Sequence, residues 1–175
     1  MTTTVSLWHR SIRPALARVA LATPVTQLCT RALMRTTCRT HGVRVASRRN
    51  VIDLIKDERV LRLNPRHWIY MLTLARQFDQ YFDCVVPFVE EGRRVVDYSQ
   101  PRLQKFTMSG LDFEVASFPE EERAILDYFR WYRPRDGETV FDLGANCGLS
   151  TYYLSKAVGD HGTVVAFEPD PVNHE

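Results

Sequence analysis

The sequence predicts an α/β fold, in which an α+β region precedes one strand-helix-strand unit near the C-terminal end. Two apolar strands are predicted at Thr139 to Leu143 and at Thr163 to Phe167, and a helix is predicted between them at Leu149 to Val158. This order is typical of the right-handed crossover unit of doubly wound sheets. We therefore expect two parallel strands, of which Thr139 to Leu143 is buried.

The charge of the chain is unevenly distributed. The 175 residues carry a net charge of +2, but residues 1–52 contain nine arginines and no lysine, aspartate or glutamate. Such a segment is typical of a transit peptide, of a membrane-surface helix or of a solvated, partly disordered extension. We divide the chain into a basic Arg-rich N-terminal extension (1–50), an α+β region (51–135) and the start of an incomplete α/β domain (136–175).

The sequence predicts no transmembrane segment. The longest uncharged run near the N-terminus, Val19 to Thr30, contains Pro24 and is shorter than the roughly 20 residues that span a bilayer.

The spacing of the four cysteines predicts unpaired thiols and neither a metal site nor a disulfide scaffold. We expect a cytoplasmic protein whose basic N-terminus can make peripheral contact with a membrane. No nucleic-acid partner is expected, because no aromatic platform accompanies the arginines.

The α+β region is predicted to contain two helices around a small antiparallel meander. Asn64 can cap the first helix, and Pro65 suits its first turn. Its apolar residues recur at steps of three and four: Trp68, Met71, Leu72, Ala75, Phe78 and Phe82. Four apolar or alternating runs predict the meander: 84–89, 94–98, 104–108 and 111–116. Ser117 and Glu120 form a capping box ahead of a second helix that extends to about Tyr132 and buries Ile125, Leu126 and Phe129.

The candidate site lies in the loop Asp142-Leu-Gly-Ala-Asn-Cys-Gly148 and at Glu168. Gly144 and Gly148 suit a backbone that takes positive φ or closely approaches a ligand, and Asn146 also tolerates positive φ. Glu168 ends the second strand, where a carboxylate can accept hydrogen bonds from two ribose hydroxyls. Ligands bind beyond the carboxyl ends of parallel strands, and both features fall there.

The spacing of this loop points away from a dinucleotide site. The G-A-N-C-G run lacks the middle glycine and the third glycine of G-x-G-x-x-G. The pattern D-x-G-x-x-x-G, with an acidic residue ending the next strand, is similar to motif I and the acidic loop of class I S-adenosylmethionine (AdoMet)-dependent methyltransferases. Together with Ala166-Phe-Glu-Pro-Asp170, it resembles the FkbM family of these enzymes, over about residues 137–173.

The resemblance implies a Rossmann-like class I methyltransferase fold, of which only the first β-α-β unit is present. It also implies AdoMet as cofactor and O-methylation of a hydroxyl on a sugar or natural product. The cofactor-binding residues that it implies are Asp142, Gly144, Ala145, Asn146 and Gly148 near the methionine and ribose, and Glu168 at the ribose diol. It identifies no catalytic residue, and Cys147 occupies a variable position of the family pattern.

Two other hypotheses stay open. One is an NAD- or nucleotide-binding Rossmann oxidoreductase, and the other is a non-catalytic truncated protein that binds a membrane or a partner. A class I methyltransferase sheet has more strands than the two predicted here. We therefore expect these 175 residues to be an N-terminal fragment that binds AdoMet weakly or not at all and shows no turnover alone.

Overall fold

The structure, a computed structural model, describes residues 24–48, 50–115 and 122–170, with side chains from residue 28 onward. The first half contains helix α1 (Pro24–Thr40), strands β1 (Arg44–Ser47), β2 (Ile52–Lys56) and β3 (Arg59–Leu63), a 3₁₀ helix (Pro65–Tyr70), and helices α2 (Met71–Arg76) and α3 (Phe78–Cys84). The second half contains strands β4 (Phe88–Glu90), β5 (Arg93–Tyr98), β6 (Arg102–Lys105) and β7 (Asp112–Val115), helix α4 (Glu122–Tyr128), strand β8 (Thr139–Leu143), helix α5 (Leu149–Val158) and strand β9 (Thr163–Phe167). None of the helices in these ranges is long and apolar enough to cross a membrane.

The main sheet has five strands in the order β1-β2-β3-β5-β4. Neighbouring strands are antiparallel except β3 and β5, which are parallel. Strands β6 and β7 form a separate antiparallel hairpin. The predicted meander is therefore wrong in its connectivity, although the β4-β5 and β6-β7 hairpins both form. Strand β5 pairs with β3, which precedes the helices. Strands β1, β2 and β3 were not predicted from the sequence.

The helix predicted from Asn64 begins as expected but is interrupted. The side chain of Asn64 accepts a hydrogen bond from the Arg66 N–H at 3.1 Å, and Pro65 opens a 3₁₀ helix. Helices α2 and α3 follow, with a break at Gln77. Five of the six predicted core positions are buried, whereas Leu72 is half-buried and Leu74 and Tyr81 are buried in addition. Each interruption rotates the buried face, so one regular period does not describe the whole segment.

The main hydrophobic core combines residues from all three predicted regions. Cys38 and Val43, which belong to α1 and the turn after it, are fully buried beside residues of the main sheet and of α2 and α3. Leu149 of α5 is 1% exposed in the same core. Residues 24–48 are thus folded as α1 and β1, and a solvated extension is the wrong description for them. The prediction for residues 1–23 lies outside the described ranges.

Helix α4 is shorter than predicted, since it ends at Tyr128 and not near Tyr132. It buries Ile125, while Leu126 and Phe129 are half-buried. The proposed capping residues Ser117 and Glu120 lie outside the described residues.

A ladder of charged side chains crosses the main sheet. Arg62 on β3 is the register partner of Asp53 on β2 and of Asp97 on β5. Its Nε lies 2.9 Å from Asp53 Oδ1, and its Nη2 lies 2.7 Å from Glu90 Oε2. Asp53 is 3% exposed, so its charge needs this cation, whereas Asp97, 5% exposed, lies 4.0 Å from Arg62 Nη1 and 3.5 Å from Arg102 Nη1. The ladder thereby favours this strand register.

We predict that Arg62→Ala lowers the free energy of unfolding by about 3 kcal/mol, because it leaves the buried carboxylate of Asp53 without its cation. The control is Arg130→Ala, which removes an exposed ion pair with Asp127 and should cost less than about 1 kcal/mol. Urea unfolding of both variants measures the difference. Equal, small losses would show that the ladder does not stabilise the sheet.

Candidate functional site

The predicted strand-helix-strand unit is present with the predicted residues. Strands β8 and β9 pair in parallel, with Thr139 opposite Thr163 and Leu143 opposite Phe167, and α5 connects them. The expectation that β8 is buried is wrong, however, and β9 is also partly exposed. Phe141, Leu143 and Phe167 are 61%, 79% and 50% exposed. They share one face by strand alternation, and this face is left open by the described part of the chain.

The loop between β8 and α5 adopts the backbone conformation that its residue types predict. The φ angles of Gly144, Asn146 and Gly148 are 91°, 49° and 85°. The N–H groups of Gly144 and Ala145 donate to the carbonyl oxygen of Phe167 at 2.8 and 3.1 Å, and Gly148 N–H donates to Ala145 at 2.8 Å. The loop therefore folds back onto the carboxyl end of β9.

Glu168 joins this loop to the segment that follows β9. Its Oε2 accepts a hydrogen bond from the Asn146 N–H at 2.7 Å, and its Oε1 accepts one from the Asp170 N–H at 2.7 Å. The side chain is half-buried. Because each carboxylate oxygen has two acceptor positions, both oxygens keep the capacity for a further hydrogen bond. The two predicted parts of the site, the glycine loop and the acidic residue, are thus in direct contact.

Asp142 holds the first turn of α5. It is 9% exposed, and its Oδ2 accepts hydrogen bonds from Ser150 Oγ at 2.8 Å and from Thr151 Oγ1 at 2.7 Å. A carboxylate at this end of a helix also interacts favourably with the helix dipole. The sequence pattern had not indicated Ser150 and Thr151 as part of the site, although a Ser-Thr pair one residue after a glycine loop that begins with aspartate is a usable signal.

An open cleft of about 390 Å³ lies at the carboxyl ends of β8 and β9. Its lining residues are mainly apolar: Leu143, Gly144, Phe167, Glu168 and Pro169. Of the six predicted cofactor-binding residues, Gly144 and Glu168 line the cleft. Asn146 and Gly148 are half-buried and Asp142 and Ala145 are buried, and none of these four lines the cleft.

No family model matches the chain, and no match is found among curated proteins or solved structures. The described residues contain no group of three or more His, Cys, Asp or Glu that could hold a metal ion. None of the four cysteines forms a disulfide, and Cys147 packs partly against the main core. The interpretation of the site therefore depends on its geometry and on the resemblance of its sequence motifs.

We predict that Thr151→Val destabilises the protein by about 1.5 kcal/mol, because it removes a hydrogen bond to a buried carboxylate while preserving side-chain shape. Ser155→Ala is the control in the same helix. It removes an exposed hydroxyl that donates to the Tyr152 carbonyl, and it should change stability by less than about 0.5 kcal/mol. Thermal and urea unfolding measure both variants. A loss no larger than that of the control would exclude this role for Asp142.

Proposed function

We propose that this chain forms the AdoMet-binding part of an AdoMet-dependent methyltransferase of the FkbM type, with a Rossmann-like class I fold. The contact between Glu168 and the loop is the observation that carries the proposal. It brings a half-exposed carboxylate to the same cleft as a loop with three left-handed residues, Gly144, Asn146 and Gly148. This is the arrangement that the resemblance implies for an AdoMet site.

Three features of the cleft support AdoMet as its ligand. A Cβ atom placed on Gly144 or Gly148 would meet no atom within 4 Å, so the space beside the loop is open. Glu168 retains acceptor capacity for two vicinal hydroxyls and would repel a 2′-phosphate. Leu143, Phe167 and Pro169 supply apolar walls. We propose that Glu168 holds the ribose and that the loop contacts the remainder of the cofactor.

The hydrogen bonds of the loop favour AdoMet over a dinucleotide. A pyrophosphate needs backbone N–H groups that point at the ligand. Here the N–H groups of Gly144 and Ala145 donate to Phe167, that of Asn146 donates to Glu168, and that of Gly148 donates to Ala145. These four donors are engaged within the site. AdoMet carries no phosphate and therefore does not require them.

AdoMet, when bound, supplies a methyl group on a positively charged sulfonium. The contribution that we assign to this chain is to hold the cofactor in a fixed orientation toward the acceptor, an effect worth up to about 7–11 kcal/mol when fully realised. We propose as acceptor a hydroxyl of a sugar or natural product. Because the two oxygens of Glu168 already accept the backbone N–H groups of Asn146 and Asp170, we assign Glu168 a binding role and not that of the general base.

An NMR titration of the amide resonances tests the proposal. AdoMet should bind weakly, because the cleft is open, and should shift the resonances of Gly144, Asn146 and Glu168. NADH at the same concentration should leave them unchanged. Loop shifts with NADH alone would favour the oxidoreductase hypothesis, and the absence of shifts with either ligand would favour a non-catalytic binding protein.

We predict that Gly144→Ala abolishes the AdoMet-induced shifts and that Gly137→Ala preserves them. Both glycines have positive φ, 91° and 81°, and a Cβ would meet no atom within 4 Å at either. Both substitutions should therefore cost about 1 kcal/mol of backbone strain. Only the first places a methyl group in the cleft. Comparable AdoMet responses in the two variants would contradict the assignment of the loop.

A further inference from the structure

Glu122 is a fully buried carboxylate that does not belong to the cleft. It lies at the start of α4 and is 0% exposed. Its Oε2 accepts a hydrogen bond from the Met108 N–H at 2.9 Å. Its Oε1 accepts hydrogen bonds from the Ser109 N–H at 2.8 Å and from the Tyr153 hydroxyl at 2.7 Å. Burying a carboxylate costs free energy unless hydrogen bonds compensate for the lost water. Here three donors from other elements provide these hydrogen bonds.

These hydrogen bonds join elements that are far apart in the sequence. Met108 and Ser109 form the turn between β6 and β7, and Tyr153 lies on α5. A ring contact supports the same junction, since the rings of Phe113 on β7 and Tyr152 on α5 meet edge to face with centroids 6.1 Å apart. Helix α5 is therefore attached to the β6-β7 hairpin through two consecutive tyrosines.

The attachment lies close to the candidate site. Tyr153 is one turn beyond Gly148, the residue at which the loop becomes helix α5. Asp142 holds the first turn of the same helix, and Leu149 anchors it in the core. Any rotation or shift of α5 would consequently move the loop. The Tyr153 hydroxyl is the polar group that fixes the rotation of the helix at this position.

We propose that Glu122 and Tyr153 are positioning residues that fix α5, and through it the loop from Gly144 to Gly148, relative to the β6-β7 hairpin. The predicted effect of these residues on AdoMet binding rests on the proposed function. Their effect on the position of the loop does not. Burial, together with the hydrogen bond to Glu122, raises the pKa of the Tyr153 hydroxyl. The hydroxyl therefore remains a donor at neutral pH.

Amide hydrogen exchange of the ligand-free chain tests whether the Tyr153 hydroxyl fixes the loop. Tyr153→Phe should accelerate exchange at residues 144–152 by about tenfold, the factor expected for one lost hydrogen bond to a charged group. Tyr132→Phe is the matched control. It also removes a tyrosine hydroxyl that donates to a carboxylate, Glu138 at 2.6 Å, but at an exposed position outside α5. Exchange at residues 144–152 should be unchanged in this variant.

Two results would overturn the proposal. Unchanged exchange at residues 144–152 in Tyr153→Phe would show that the loop does not depend on the hydroxyl. Equal acceleration in the loop and in β2, β3 and β5 would show a general loss of stability and no positioning role. Glu122→Gln provides a second variant. It replaces one acceptor oxygen by an NH₂ group, which cannot accept a hydrogen bond from the N–H or O–H groups that surround it. It should accelerate exchange both at residues 106–110 and at residues 144–152.

The AdoMet titration separates this proposal from the proposed function. If the wild-type chain responds to AdoMet, Tyr153→Phe should weaken that response while Tyr132→Phe leaves it unchanged, and an unchanged response in Tyr153→Phe would contradict the link to binding. If the wild-type chain does not respond, the proposed function fails. The exchange experiment still decides whether Glu122 and Tyr153 position the loop.

Discussion

The hydrogen bond from the Asn146 N–H to the Glu168 carboxylate is the interaction on which the candidate site depends. Gly144, Asn146 and Gly148 all have left-handed backbone conformations, which are costly for residues other than glycine. The loop keeps this shape because its N–H groups find acceptors at the end of β9 and in Glu168. One carboxylate thus stabilises the loop and remains accessible to a ligand.

The site is connected to the rest of the molecule through α5. The helix is held at its first turn by Asp142, in the core by Leu149, and at the hairpin by Glu122 through Tyr153. The two carboxylates that hold α5, Asp142 and Glu122, both precede the loop in the sequence. Leu149 and Tyr153 of α5, together with Cys147 of the loop, link the site to the hydrophobic core, whereas β8 and β9 expose an apolar face in the described ranges.

Local sequence signals predicted β8, α5 and β9 with their observed residues, since glycines and apolar runs set those boundaries within a few positions. The same signals predicted positive φ in the loop. They could not predict that β5 pairs with β3, because strand pairing depends on contacts across the intervening helices. They also could not predict the contact between Glu122 and Tyr153, which lie on separate helices. The AdoMet assignment depends on the family resemblance and stays a prediction.

Intermolecular NOEs between AdoMet and the chain are the most direct test of this account. The ribose protons of AdoMet should show NOEs to the Leu143 methyl groups and to the Phe167 ring, the apolar residues beside Gly144 and Glu168 in the cleft. Ribose NOEs to side chains away from β8 and β9, or none at saturating ligand, would contradict binding at this loop.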